Sequence, residues 1–94
     1  MADISIIQRH TLPHHHARAA AQHIADQLAQ EYDMTSEWDG DVLLFNRAGV
    51  TGSLTLAERE AHVEISLGFL FKAFAAAIEE KVAAKMRKVF AAHA

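Results

Sequence analysis

The chain has 94 residues, 51% of them hydrophobic and 22% charged, with four Gly, one Pro and no Cys. This balance suits one compact domain over 1–94, speaks against disorder, and leaves no disulfide or thiolate chemistry. A formal net charge of −3 offers no basic field for nucleic acid, and no apolar run reaches the roughly 18 residues of a membrane span.

"MADISIIQRH" lacks a basic stretch followed by a long apolar one, so no secretory signal is expected. Within it, "DISIIQR" (3–9) is rich in β-branched residues and predicts an edge or near-edge strand. "HTLP" breaks that strand, with Thr11 as the expected helix N-cap and Pro13 in the first turn. The next segment, "HHHARAAAQHIADQLAQEY", places Ala17, Ala20, Ala21, Ile24, Leu28 and Tyr32 at helical spacing. It predicts an amphipathic helix with a shallow, Ala-rich face able to lie close to a sheet.

"WDGD" (38–41) is read as a turn leading into a strand, with Gly40 at the bend. "DVLLFN" (41–46) and "GVTGSLTL" (49–56) then flank a tight turn at 47–49, where Gly49 supplies the positive φ such turns often need. "HVEISL" (62–67) alternates apolar and polar residues and gives a third antiparallel strand with one wet face. Gly68 separates the sheet from a long C-terminal helix with Leu70, Phe71, Phe74, Ile78, Val82, Met86 and Val89 in one stripe. The expected architecture is α+β, in the order β-α-β-β-β-α, with an antiparallel sheet and both helices on one face. Its expected core is Leu43, Phe45, Leu54, Ile65, Phe71, Phe74 and Ile78, closed by Ala17, Ile24 and Leu28.

No catalytic constellation emerges. The acids of "WDGD" are followed by "VLLF" and not by the further oxygen ligands of a calcium loop. "GVTG" leads into a strand, whereas a phosphate cradle leads into a helix, so Gly52 is expected where an aromatic ring or helix crosses the strand. Ser53 and Ser66 lie within strands without a nucleophile elbow. The histidines are His10, His14, His15, His16, His23, His62 and His93. Adjacent helical residues diverge by about 100°, so 14–16 do not converge on one metal. No enzyme activity, cofactor or metal requirement is expected.

The C-terminal helix departs from a simple pattern. Phe69 and Phe90 fall away from its stripe, while Lys85 falls near the stripe's centre. On the sheet, Val42 and Leu44 take the face opposite Leu43 and Phe45. Val42, Leu44, Phe69 and Phe90 are therefore the candidate interface residues, and a homodimer is the expected assembly.

These segments together resemble the polyhydroxyalkanoic acid system family, small bacterial proteins encoded near polyester synthesis and granule genes. The resemblance spans nearly the whole chain through "ISIIQRHTL", the "AR…A..IA..LA.EY" helix, "WDGDVLLFNRAGVTGSLTL" and "V.ISLGFLFKAF…IEEKV". Its hallmark positions fall on Trp38, Gly40, Asp41, Phe45, Arg47, Gly49, Val50, Gly52, Leu67 and Gly68; the run at 14–16 lies outside the pattern. The resemblance implies a cytoplasmic setting around polyhydroxyalkanoate granules and supplies no catalytic residue or cofactor. The leading functional expectation is a non-enzymatic accessory protein that binds a granule surface, a granule protein or itself. The alternative is a carrier with an apolar, hydroxyacyl-sized pocket between sheet and C-terminal helix. A cavity lined by Leu54, Ile65, Phe71 and Phe74 would favour it, and a filled core would count against it. A third candidate, double-stranded RNA binding, shares the α-β-β-β-α order but lacks a Lys cluster at the start of the last helix.

Overall fold

Tight turns organise the sheet. In the computed structural model, which describes residues 3–92, four strands follow one another as a meander: β2 (Thr35–Asp39), β3 (Val42–Arg47), β4 (Val50–Ala57) and β5 (Glu60–Leu67). Each connection has two residues, and each holds one residue at positive φ: Gly40 at 61°, Gly49 at 86° and Arg59 at 65°. The N-terminal strand β1 (Ile4–Arg9) adds to the far edge, pairing antiparallel with β5 through Ile4↔Ile65 and Ile6↔Val63. The order across the sheet is β1-β5-β4-β3-β2.

The fold is α+β, as the sequence predicts, with one strand more than expected. "TSEWD" forms β2 and pairs with β3 along its whole length, Trp38 opposite Leu43. As an edge strand, β2 buries only Trp38, and that in part. Its polar sequence therefore lacks the alternation by which a half-buried strand is recognised. The turn read into "WDGD" is narrower than expected, confined to Gly40 and Asp41.

Alternation assigns the two faces. Leu43 and Phe45 on β3, Leu54 and Leu56 on β4, and Val63, Ile65 and Leu67 on β5 are buried on the inner face. Thr51, Thr55 and Glu64 point to solvent on the other. Phe45 stands opposite Gly52, and a Cβ at Gly52 would lie 2.4 Å from the Phe45 ring. The glycine is thus the place where an aromatic ring crosses the strand.

Helix α1 (His14–Tyr32) covers this face with Ala17, Ala20, Ala21, Ile24, Ala25 and Leu28, all buried. The N-cap is Pro13 and not Thr11: the Pro13 carbonyl accepts from the amides of His16 and Ala17, and no side chain caps the helix. The expected C-terminal helix divides in two. Phe69–Phe74 forms a 3₁₀ segment, and α2 (Ala75–Ala92) follows. A 3₁₀ segment advances about 120° per residue against about 100° in an α-helix. Leu70 and Phe74 therefore do not share the phase of α2, and they are 80% and 60% exposed. The buried face of α2 turns instead onto Met86, Val89 and Phe90. Phe90 is only 2% exposed and stacks on His10 with ring centroids 5.0 Å apart. The expectation of Phe90 as an interface residue is corrected: it belongs to the core. So is the placement of Phe74 in the core; Phe71 and Ile78 are partly buried against it.

Candidate binding cavity

Between the inner face of the sheet, the C-terminal half of α1, the 3₁₀ segment and the first half of α2 lies a cavity of about 390 Å³. Its walls include Leu54, Ile65, Phe71 and Phe74, the four residues whose convergence the carrier expectation requires. Phe45 and Val63 complete the sheet side, Ile24 and Leu28 come from α1, and Ile78 and Val82 from α2. Three cations share this lining, Arg47, Lys81 and Lys85, with no Asp or Glu among the lining residues.

Two glycines set the position of the 3₁₀ segment. The Gly68 amide donates to the Gly49 carbonyl at 2.7 Å, and the Phe71 amide donates to the Gly68 carbonyl at 2.9 Å. A Cβ at Gly49 would come within 2.7 Å of the Phe71 ring, so the bare backbone lets that ring lie across the β3–β4 turn. Arg47 braces the same corner. Its guanidinium donates to the Tyr32 carbonyl at 2.9 Å, and its Cζ stands 5.9 Å from the centre of the Phe71 ring. On α2, Lys85 Nζ meets Glu31 of α1 at 2.8 Å.

The hallmark residues thus fall into two clusters. Arg47 and Val50 line the cavity, Gly49 and Gly68 support the Phe71 ring that lines it, and Phe45, packed across Gly52, forms part of its inner wall. Trp38, Gly40 and Asp41 lie elsewhere, on the β2–β3 hairpin where it docks onto α1. The Trp38 indole N–H donates to Gln22 Oε1 at 2.8 Å, and the Arg18 guanidinium covers the ring at 3.9 Å. Arg18 also donates to the Gly40 carbonyl at 2.9 Å, while His14 Nε2 meets Asp41 Oδ1 at 3.0 Å. Cation–π stacking and a charge-assisted hydrogen bond hold the edge strand β2 and its turn, which have little apolar surface of their own. Leu67 is buried in the core.

The histidines do not gather. Among the described residues no three His, Asp or Glu side chains form a metal-binding group, and His93 lies outside the described residues. His15 and His16 touch edge to face at the start of α1. His10 is the unusual one. Its Nδ1 accepts from the Leu12 amide at 3.1 Å, its ring stacks on Phe90, and burial pushes its pKa below the ordinary value, against a smaller opposing contact with the Glu60 backbone. Of the candidate interface residues, Phe69 is 89% exposed, Leu44 39%, and Val42 half-buried.

A family model for polyhydroxyalkanoic acid system proteins matches residues 4–90. The chain belongs to this family. No curated protein and no solved structure matches it. The matched span includes both hallmark clusters and the whole cavity lining. No helix among the described residues is long and apolar enough to cross a membrane. Sequence reasoning missed the cationic character of the rim. The signal was present in Lys85, a charge at the centre of an apolar stripe.

Proposed function

We propose that this polyhydroxyalkanoic acid system protein is a non-catalytic, cytoplasmic accessory protein that binds an apolar acyl chain in its cavity. One observation carries the reading: the space between sheet and α2 is hollow where a fold of this size normally packs side chains. At about 390 Å³ it falls in the range of small-molecule sites, which run from roughly 300 to 1,000 Å³. Its walls are aliphatic and aromatic, as a hydroxyacyl chain would require. The test is displacement of a fluorescent fatty-acid reporter. Wild type should bind and release it to added acyl chain. Ile78→Trp, which adds bulk on the α2 wall, should lose binding without loss of melting temperature. A variant that binds like wild type would place the ligand elsewhere.

A second reading has its own support. Phe69, Leu70 and Phe74 are all exposed on one 3₁₀ segment beside the cavity. Single exposed apolar residues are ordinary; three on six residues suit contact with a granule surface, a granule protein or a second copy. A homodimer formed there should bury more than about 1,000 Å² in total. Light scattering of wild type against Phe69→Ser/Leu70→Ser distinguishes the cases. A dimeric mass lost in the variant supports self-association. A monomeric wild type whose recovery on granules falls in the variant supports the surface.

A further inference from the structure

We infer that the ligand of this cavity is an aliphatic chain ending in a carboxylate, with Lys81 as the principal contact for that end. The inference rests on the binding reading of the cavity and adds the headgroup. Every charged side chain in the lining is a cation: Arg47, Lys81 and Lys85. This happens in a chain with 12 Asp and Glu against nine Lys and Arg, so the bias runs against composition. The three cations are not equally engaged. Lys85 is matched by Glu31 at 2.8 Å. Arg47 gives one N–H to the neutral Tyr32 carbonyl and lies toward the Phe71 ring, with no acid paired to it among the described residues. Lys81 has no ion pair among the described residues, although it lies one turn before Lys85 on the same helix.

Lys81 is left without an acid among the described residues, and an anion at this rim would supply the counter-charge. A ligand that places its apolar body against Leu54, Ile65 and Phe71 would bring one end to this rim. A carboxylate there gains a charge-assisted hydrogen bond at the edge of an apolar wall, where it is worth more than in water. An ammonium headgroup would meet three cations, and a neutral alcohol would gain only an ordinary hydrogen bond. A single charge suffices, because Lys85 is already compensated.

The experiment is titration calorimetry with decanoate, 1-decanol and decyltrimethylammonium, each below its aggregation limit, at pH 7.5, where a free carboxyl is ionised. Wild type should bind decanoate about tenfold more tightly than decanol, the ratio expected for one charged hydrogen bond, and the cation most weakly. Lys81→Gln should abolish most of that tenfold preference and leave decanol affinity unchanged. Equal binding of decanoate and decanol would overturn the headgroup inference while leaving the cavity reading in place. An undiminished preference in Lys81→Gln would overturn the role of Lys81. Failure of all three ligands to bind would overturn the cavity reading itself.

Discussion

The two helices cover the same sheet in different ways. Helix α1 brings four buried alanines, Ala17, Ala20, Ala21 and Ala25, and with Ile24 and Leu28 it closes on the sheet. The 3₁₀ segment and the first half of α2 bury no residue fully, with Phe71, Ala75, Ile78 and Val82 only partly covered, and the full burial of α2 comes near its end at Met86, Val89 and Phe90. Small side chains let one helix sit close and fill the interface. The other helix is held by its far end, and its first half stands over a hollow. One helix thus supplies packing, and the other supplies space.

The largest expected effect tests the residue that serves both regions. Phe45 is buried, crosses Gly52 and forms part of the cavity wall. Phe45→Ala should lower stability by about 3–5 kcal/mol, seen as a lower denaturant midpoint. A smaller but still large loss is expected on the packed side. Ala20 has no accessible surface, so Ala20→Leu should cost about 1–3 kcal/mol by overpacking. Ile78→Trp makes the contrast, since a large residue facing the hollow should cost nothing. Equal losses from the two enlargements would erase the distinction between the helices.

The pH dependence probes the anchor of α2. The folded pKa of His10 lies below its ordinary value of 6.5 because burial disfavours the charged ring. Between the two pKa values the unfolded chain binds more protons, so stability falls as pH drops below about 6.5 and levels off below the folded value. Melting temperatures from pH 7.5 to 5 should therefore decline more in wild type than in His10→Gln. Parallel curves would remove His10 as the cause. The smallest effect belongs to the exposed 3₁₀ surface, where Phe69→Ser should change stability by no more than about 0.5 kcal/mol. A larger loss there would mean that the segment packs more tightly than its exposure indicates.

Legibility in the sequence follows the same division. The shallow Ala stripe of α1 and the alternation of β3, β4 and β5 could be read directly, because burial imposes a period on them. Strand β2 could not, since at the edge only Trp38 is drawn partly inward and the rest remains polar. The 3₁₀ start of the last helix was hidden for a different reason. Its aromatic residues fit a helical stripe on paper, and only the tighter winding sends Leu70 and Phe74 outward while Phe90 turns in. Gly52 is legible as the place where a ring crosses the strand, and it faces Phe45; Gly49, legible as a positive-φ turn residue, has that φ and also faces the Phe71 ring, a contact its spacing does not reveal. The cations were legible only singly, because Arg47 joins Lys81 and Lys85 through the fold and not through spacing.

The most direct test of the central claim is a methyl-resolved NMR titration of the protein with decanoate. Saturable shifts are expected at Ile24, Leu54, Ile65, Ile78 and Val82, which line the hollow. Ile4, Leu12, Leu43 and Leu56, buried in the core but absent from that lining, should stay still. Shifts centred on Ile7 and Leu44 of the outer sheet face, or none at all, would contradict it.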